Sequence, residues 1–284
     1  MERYLGPSRQ GKKISREEAT RRASILKARD LRKIPVAGPL VRFPGGKTKL
    51  QDSIVKYLDG DRYVEPFAGG LGIGLNVITG KKESWINDAD FNIYAMWSSV
   101  IHHPKKLIGL ASDFTPSVDA FKEFKTRLSN HETQDLVQIG FMKLAMHQMT
   151  FSGLGERGGP LGEIGCRWNF QRIKKQILLC HAILRNTRCT CMDFEAVIKQ
   201  APQGWSIFCD PPYLENGNAI YAHRFTKEDH VRLAEVLRHR TGWVLSYDDN
   251  PEIRRLYDFA TIDEVDVRYS INSAAKKREL VIHA

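Results

Sequence analysis

The stretch Ile207-Phe208-Cys209-Asp210-Pro211-Pro212-Tyr213 decides the fold. The apolar run from Trp205 to Cys209 predicts a buried strand. The two prolines end it, because proline has no N–H to donate and fixes its own φ angle. The strand therefore ends in a carboxylate, a rigid carbonyl and an aromatic ring. Open α/β sheets bind ligands at the carboxyl ends of their strands, so this stretch predicts an α/β fold with its site at that edge.

The residues at this strand end suit the chemistry of a flat, conjugated amine. Such an amine is a poor nucleophile, because its lone pair is delocalised into the attached ring. Two acceptors, the Asp210 carboxylate and the Pro211 carbonyl, would hold its two N–H bonds and favour a pyramidal nitrogen. Tyr213 would stack on the base and hold it in line with an electrophile. The alternative interpretation is a plain turn at the end of a strand.

A second ligand-binding pattern lies earlier in the chain. A short strand ends at Glu65, and a glycine-rich turn through Gly69 opens a helix whose free N–H groups can face a ligand. The next strand ends at Asp88, where a carboxylate can accept hydrogen bonds from ribose hydroxyls. Together these features predict an adenosine pocket. Asp88 has an alternative role as the N-cap of a helix that starts near Phe91.

The middle of the chain is helical. Apolar residues recur with helical spacing in four segments: Phe91–His103, Ser117–Leu128, Thr133–Met149 and Asn169–Arg185. About ninety residues between neighbouring strands exceed an ordinary crossover, so we expect an inserted helical subdomain.

A glycine-rich segment, residues 151–169, lies inside this helical region and holds six glycines. It also carries Arg157, Arg167 and Trp168. Such a segment can become ordered on a nucleic-acid groove. The alternative is a plain surface linker.

The α/β pattern then resumes. A strand ends at Asp193 before a helix at Phe194–Gln200, and Thr226 with Asp229 predicts the capping box of a helix that runs to His239. Thr261–Val267 and Glu279–His283 can pair as a final hairpin. The connection between them runs from Arg268 to Arg278. The three basic residues at its tip, Lys276, Lys277 and Arg278, either contact phosphates or are simply solvated.

Composition limits the class of protein. With 284 residues and 42% apolar content, the chain fits one large domain or a core with an insertion. It has no run of 18 apolar residues and no apolar signal core, so we expect a cytoplasmic protein without a membrane partner. The five cysteines indicate reduced thiols, and Cys189 and Cys191 fit a strand better than half a metal site. The nine histidines lack metal-ligand spacing, so no metal is expected.

The net charge of +10 indicates a polyanionic partner. Residues 1–37 hold eleven Lys and Arg against four Asp and Glu, which is +7 of that total. This leader is either a basic arm on a phosphate backbone or a solvated or tag-like extension.

Five motifs together carry a resemblance to a known family: Phe43-Pro44-Gly45-Gly46-Lys47, Glu65-Pro66-Phe67-Ala68-Gly69-Gly70, Asn87-Asp88, Asp210-Pro211-Pro212-Tyr213 and Arg268-Tyr269-Ser270-Ile271. In this order, over residues 38–284, the chain resembles DNA adenine methyltransferases of the Dam type. The resemblance implies a Rossmann-like α/β fold with a C-terminal β-hairpin. It also implies a catalytic domain at 38–93 and 187–284, a helical target-recognition domain at 94–186, and a leader at 1–37 outside the match.

The resemblance also implies an activity. It predicts methyl transfer from S-adenosylmethionine to N6 of a flipped-out adenine in double-stranded DNA, leaving S-adenosylhomocysteine. Catalysis would fall to Asp210, Pro211 and Tyr213. The cofactor-binding residues implied are Phe43, Lys47, Glu65, Phe67, Gly69, Asp88, Asp193 and Asp210. The candidate DNA-contacting residues are Arg157, Arg167, Trp168, Arg268, Lys276 and Lys277.

Some properties stay open. Phe43-Pro44 replaces the Trp-Ala common in the family, and residues 152–167 do not match the pattern of enzymes that read GATC, so the recognised site is not given. The substrate could also be an RNA base or a glutamine amide, and a DNA-binding protein without activity is a third reading. We expect a monomer when free. The biological purpose, whether restriction-modification, phage DNA modification or regulation, is undetermined.

Overall fold

A seven-stranded mixed sheet forms the centre of the molecule. The computed structural model describes residues 39–43, 45–47, 50–130, 133–214, 225–268 and 276–284, with the side chains of 267, 268, 276 and 277 excepted. The strands are β1 (Arg62–Glu65), β2 (Glu83–Asn87), β3 (Arg188–Thr190), β4 (Ser206–Cys209), β5 (Trp243–Asp248), β6 (Thr261–Arg268) and β7 (Lys276–His283). The basic leader at residues 1–37 lies outside the described residues.

The strand order is β3-β2-β1-β4-β5-β7-β6. The first five of these are parallel to their neighbours, whereas β7 pairs antiparallel with β5 and with β6. The chain builds outward from β1 through β2 to β3 and then returns to add β4 on the other side of β1. This reversal makes a topological switch point between β1 and β4, which is where open α/β sheets bind ligands. The predicted α/β fold and the final hairpin are confirmed.

Side chains of the central strands alternate between two apolar layers. Tyr63, Phe208 and Val281 belong to one buried cluster. Their chain neighbours Val64, Ile207 and Leu280 belong to the other. Because a strand has a side-chain period of two, this alternation buries both faces of the sheet, as parallel strands require.

Helices cover both faces of the sheet. They are α1 (Gln51–Val55), α2 (Gly74–Ile78), α3 (Phe91–His102), α4 (Pro104–Asp113), α5 (Val118–Asn130), α6 (Leu136–Met149), α7 (Phe170–Leu184), α8 (Phe194–Gln200), α9 (Lys227–Arg238) and α10 (Pro251–Leu256). The capping box of α9 is confirmed, with Thr226 and Asp229 each bonded to the other's backbone. The sequence analysis missed α4, although Pro104 in its first turn is a start signal.

The helices between β2 and β3 share one apolar cluster with the sheet. Ala95 in α3, Leu144 in α6 and Ile177 in α7 are buried in the layer that also contains Phe208 of β4. Treatment of residues 94–186 as a separate target-recognition domain stays a prediction. Within the described ranges, none of the helices combines the length and the apolar character that a membrane span requires.

Candidate active site

A cavity of about 410 Å³ opens at the carboxyl ends of β1, β2 and β4. This volume lies within the range of about 300–1,000 Å³ typical of small-molecule sites. All of the predicted cofactor-binding residues line it: Phe43, Lys47, Glu65, Phe67, Gly69, Asp88, Asp193 and Asp210. The topology thus brings together motifs that lie up to 167 positions apart in the chain.

Asp210 leaves β4 and meets a lysine from the first motif. Lys47 Nζ lies 3.0 Å from Asp210 Oδ1 and also donates to the Gly45 carbonyl at 2.5 Å. Ser246 Oγ of β5 donates to the same Asp210 oxygen at 2.9 Å. Burial raises the pKa of Asp210, and the Lys47 ammonium offsets part of that rise. Among the described residues, both of these contacts are made by Oδ1, which leaves the second oxygen, Oδ2, as the candidate acceptor for a substrate N–H group.

Tyr213 is held on two sides. Its hydroxyl donates to Glu279 Oε2 at 2.6 Å, and Lys47 Nζ lies 4.6 Å from the centre of its ring. The ring also packs against Tyr247, with centroids 5.8 Å apart. Tyr213 therefore lies beside the Lys47–Asp210 pair, while Pro212 rather than Pro211 lines the cavity.

Glu65 ends β1 as a buried carboxyl group. Its Oε2 accepts from the Tyr63 hydroxyl at 2.7 Å, and burial holds its pKa well above the usual range. Gly74 in α2 lies so close to this carboxyl group that a side chain at position 74 would displace it. The glycine is therefore needed for close approach of the helix to Glu65.

Asp88 holds the glycine-rich turn in place. Its Oδ2 accepts from the Gly69 N–H at 2.8 Å, and its Oδ1 accepts from the Asp90 N–H at 2.9 Å. Burial, with the neighbouring charge of Asp90, raises the pKa of Asp88 to about 7. The alternative role of Asp88 as a helix cap is wrong, because the N-cap of α3 is Asp90, whose side chain accepts from the Asn92 N–H.

Aromatic rings form the far end of the cavity. Phe67, Phe194 and Phe225 pack together, with centroid separations of 5.4–5.7 Å. At their edge Arg232 donates to Asp193 at 2.8 Å and to Asp229 at 2.8 Å. An apolar slot with carboxylates at its rim suits a flat heteroaromatic ring that carries amine donors.

The described lining of the cavity is rich in acidic side chains. It contains six carboxyl groups, on Glu65, Asp88, Asp90, Asp193, Asp210 and Asp229, but only two cationic side chains, on Arg42 and Lys47. Lys143 pairs with Asp90, and Arg232 pairs with Asp193 and Asp229, so much of this charge is balanced. The described lining still offers more hydrogen-bond acceptors than cations, which suits a ligand with amine or sulfonium groups better than one with phosphates. This composition fits S-adenosylmethionine better than a dinucleotide.

A second buried ion cluster joins the cavity to the glycine-rich segment. Lys143 Nζ of α6 lies 3.2 Å from Asp90 Oδ2 and 2.7 Å from Glu156 Oε2. His147, one turn further on, donates from Nδ1 to the Gly153 carbonyl at 2.7 Å. Gly153 has a φ of +72° and contacts the Arg42 backbone so closely that a Cβ there would overlap it. The segment is thus fixed against a wall of the cavity.

The glycine-rich segment forms tight turns. Phe151–Gly153 and Gly155–Arg157 are 3-10 turns, and a bridge between Thr150 and Pro160 closes them. Arg157 is exposed, whereas Arg167 donates to the Thr150 carbonyl at 3.0 Å.

The other predicted DNA-contacting residues differ in their surroundings. Trp168 is half-buried and packs edge-on against Phe114, with centroids 5.0 Å apart. Arg268 ends β6, Lys276 and Lys277 begin β7, and the side chains of all three lie outside the described part. A DNA-contacting role for these residues stays a prediction.

Several residues around the cavity were not predicted as site residues, although Asp229 was predicted as a helix-capping residue. They include Asp90, Lys143, Glu156, Asp229 and Glu279. Lys143 lies in an apolar helical pattern and carries no local signal. Glu279 does carry one, because it is an acid at the edge of the apolar run Leu280–Ile282.

Known proteins similar to this chain include adenine-specific DNA methyltransferases. The family model of the D12 class N6 adenine-specific DNA methyltransferases matches residues 43–271. A DNA N-6-adenine-methyltransferase of Escherichia phage P1 is 28% identical over 240 residues, which cover 77% of this chain and 31% of the phage protein. The Type II methyltransferase M.FokI of Planomicrobium okeanokoites is 25% identical over 228 residues, covering 72% of this chain and 34% of that protein.

Another relative matches over most of its length. The Retron Ec67 DNA adenine methylase of Escherichia coli is 24% identical over 250 residues, which cover 83% of this chain and 86% of the methylase. The chain thus spans about a third of the length of the phage P1 and M.FokI proteins. The resemblance stated from the motifs is confirmed by the family match.

Proposed function

This chain belongs to the D12 class N6 adenine-specific DNA methyltransferases, and we propose from that premise that it methylates N6 of adenine in double-stranded DNA. The observation that carries the proposal is the meeting of Asp210, Lys47 and Tyr213 beside an acid-rich cavity that Asp210 and Lys47 line. The names of the relatives, which are adenine methyltransferases of phage and bacteria, support the same activity.

S-adenosylmethionine would occupy the cavity. When bound, it supplies a methyl group on a positively charged sulfur as the electrophile. The ring slot of Phe67, Phe194 and Phe225 would take its adenine, and Asp88 would accept from its ribose hydroxyls. The carboxyl group of Glu65 would accept a hydrogen bond from the methionine part of the molecule. Phe43 and the Gly69 turn would complete the walls of the pocket.

The target amine would be activated by acceptors at the end of β4. Asp210 Oδ2 and the Pro211 carbonyl would each accept a hydrogen bond from one of its two N–H groups. This geometry favours a pyramidal nitrogen, whose lone pair is no longer conjugated with the base. Lys47 and Ser246 hold the other oxygen, Oδ1, so the carboxylate keeps one orientation. Tyr213 would stack on the base, and positioning of this kind supplies several kcal/mol of the barrier reduction, up to about 7–11 in favourable cases.

An adenine inside a duplex cannot reach this pocket, so the target nucleotide must leave the base stack. The glycine-rich segment is the neighbouring surface that we propose for DNA contact. It presents Phe151, whose side chain is 62% exposed, and the exposed Arg157. An exposed apolar ring can wedge between base pairs, while arginines bind phosphates.

The broader arrangement follows from the same proposal. Residues 94–186 would act as the target-recognition part, with Arg167 and Trp168 shaping the glycine-rich segment and Arg268, Lys276 and Lys277 contacting the DNA backbone. A monomeric state in the absence of DNA and a cytoplasmic location are part of this proposal.

Long-read sequencing of plasmid DNA tests the activity directly. The protein is expressed in cells that lack adenine methylation, and the plasmid is read for N6-methyladenine. We expect marks at adenines of one short motif, and none from the Asp210→Ala variant. Asp113→Ala, an exposed acid at the end of α4, is the matched control and should leave the marks unchanged.

The same experiment can contradict the proposal. If folded wild-type protein leaves no mark, adenine methylation of DNA is wrong for this chain. Transfer of labelled methyl groups to RNA or to a glutamine amide would then be measured, since both offer a planar conjugated amine. Marks from Asp210→Ala equal to those of wild type would overturn the assigned role of Asp210.

A further inference from the structure

We propose that Glu279 is a positioning residue for the reaction, acting through Tyr213. This inference rests on the proposed function and assigns to β7 a part in holding the target base. It starts from one contact: the Tyr213 hydroxyl donates to Glu279 Oε2 at 2.6 Å. Charge-assisted hydrogen bonds of this length are about twice as strong as neutral ones.

Glu279 occupies a buried position where a carboxylate is unfavourable unless it has hydrogen-bond partners. Only 1% of the residue is exposed, and β7 lies between β5 and β6, where Glu279 pairs with Asp248 and with Val265. Burial of a charged group is costly unless it is hydrogen-bonded. Of its two cross-strand neighbours, Val265 is apolar and Asp248 is itself an acid, so the hydrogen bond that Tyr213 donates stabilises this carboxylate.

The bond fixes the ring from its far end. A tyrosine can turn about its χ1 and χ2 bonds, and a hydrogen bond to a buried acceptor removes that freedom. Lys47 lies over the ring face at 4.6 Å, and Tyr247 packs beside it at 5.8 Å. With its hydroxyl held by Glu279, the ring keeps one plane, which a stacked base requires.

The carboxylate also acts on the electrons of the ring. Donation of the phenol O–H to a carboxylate raises the electron density of the aromatic system and strengthens its attraction for a cation. Lys47, which the ring attracts, is the residue that holds Asp210. Glu279 therefore fixes the ring on which the base would stack, whereas its charge contributes to the raised pKa of Asp210. Neither Glu279 nor Tyr213 lines the cavity where we place the cofactor.

Kinetics of substituted enzymes test this assignment. Glu279→Leu removes the acceptor, Glu279→Gln keeps a neutral acceptor of the same shape, and Tyr213→Phe removes the donor. We expect kcat to fall about 30-fold in Glu279→Leu, the order expected for one lost charge-assisted hydrogen bond. Glu279→Gln should recover most of that loss, and KM for S-adenosylmethionine should stay within about 2-fold in every variant, the scatter expected where no cofactor contact is removed.

A double-mutant cycle shows whether Glu279 acts through Tyr213. If it does, Glu279→Leu has little further effect once Tyr213 is phenylalanine, because the two substitutions remove the same bond. If the two losses multiply, Glu279 acts by another route and the proposal is wrong. Should Glu279→Leu fail to fold, Tyr213→Phe carries the test, since an unchanged kcat there also overturns it.

A spectroscopic signature separates positioning from a purely structural role. A duplex with 2-aminopurine at the target adenine reports stacking of the flipped base, because stacking on a fixed ring quenches its fluorescence. We expect a larger long-lived fluorescence fraction in Glu279→Leu and in Tyr213→Phe than in wild type, at equal binding of DNA. Identical lifetimes in all three proteins would overturn the proposal.

Failure of this inference can be told from failure of the proposed function. A folded wild-type protein that marks no adenine in any plasmid overturns both. A wild-type protein that methylates DNA, with Glu279→Leu showing wild-type kcat and wild-type lifetimes, overturns the role of Glu279 alone.

Discussion

Two buried lysines differ in their surroundings: Lys47 lines the cavity, and Lys143 contacts the lining residue Asp90. Each is 4% exposed. Lys47 faces one carboxylate, that of Asp210, and an aromatic ring. Lys143 lies between two carboxylates, those of Asp90 and Glu156. The first cation belongs to a site that must admit a substrate, and the second to a closed ion cluster that joins two segments of the chain.

The pKa values follow this difference. Burial alone would lower the pKa of Lys143, but its two carboxylate partners outweigh burial and the pKa is raised. Beside Lys47, by contrast, burial raises the pKa of Asp210 even though the lysine partly offsets that rise. A single buried pair leaves its acid able to take up a proton, whereas Lys143 is held firmly in its charged form. We therefore expect Lys47 to matter chiefly for catalysis and Lys143 chiefly for stability.

The largest expected effect is that of Lys143→Met on stability. Removal of the cation leaves two buried carboxylates facing each other, and a broken buried ion pair typically costs about 3–5 kcal/mol. Urea denaturation should show the free energy of unfolding lowered by about 4 kcal/mol. Combination with Glu156→Gln should restore part of it, because one of the two charges is then gone.

The control for this experiment is an exposed ion pair. Lys82 lies 2.5 Å from Asp61, and both side chains are more than 60% exposed. Lys82→Met should lower the free energy of unfolding only slightly. Equal effects of Lys143→Met and Lys82→Met would contradict the assignment of Lys143 to a closed, buried cluster.

The next effect is that of Lys47→Met on catalysis. Without this cation the Asp210 pKa rises further, so a smaller fraction of the carboxylate is ionised at neutral pH. We expect kcat to fall about 100-fold, the order expected for loss of one group that tunes an acid–base residue. The acid limb of the pH–rate profile should also move to higher pH.

Stability should respond less to Lys47→Met than to Lys143→Met, because Asp210 can neutralise itself by taking up a proton. A pH profile that does not move would show that Lys47 does not control the ionisation of Asp210. A loss of stability as large as that of Lys143→Met would contradict the assignment of Lys47 chiefly to catalysis and Lys143 chiefly to stability.

The smallest effect concerns His147 and pH. Burial and the nearby charge of Lys143 lower the pKa of His147 to about 4, below its ordinary value of 6.5. The fold therefore favours the neutral ring. The resulting contribution to the free energy of unfolding is fully present above pH 6.5 and is lost as the pH falls toward 4. The free energy of unfolding of the wild type should drop over this range by roughly 2 kcal/mol more than that of His147→Gln.

Urea denaturation at several pH values measures this difference. Asp88 acts in the opposite sense, because its pKa is raised to about 7 and its contribution is lost as pH rises from 3.8 toward 7. Asp88 is present in both proteins, so the comparison of wild type with His147→Gln cancels it. If the free energy of unfolding varied with pH in the same way for both proteins, His147 would have the same pKa in the folded and unfolded chains, contrary to this prediction.

Much of the site could be predicted because its residues end strands. Glu65, Asp88 and Asp210 each follow a short apolar run, and the carboxyl ends of parallel strands meet at one edge of a sheet. The motif that carries Lys47 was also visible, as two glycines before a lysine. Local sequence shows where a strand stops, and in a parallel sheet that information places the side chain.

The contacts between these residues were decided by the tertiary structure. The sequence does not show that Lys47 contacts Asp210, which lies 163 positions away. The contact depends on the tertiary fold, in which the segment before α1 packs near the end of β4. Lys143 carries no local signal at all, since its partners come from the N-cap of α3 and from a turn after α6.

Glu279 shows the division most clearly. An acid before the apolar run of β7 is visible in the sequence alone, as are the acids that follow the runs of β1, β2 and β4. In a parallel strand an acid at the start would lie at the edge away from the cavity. Because β7 runs antiparallel to β5, its first residues lie at the cavity edge, next to Asp248. Strand direction is fixed by packing of the whole sheet and not by local residues, so only the tertiary structure could place Glu279 beside Tyr213.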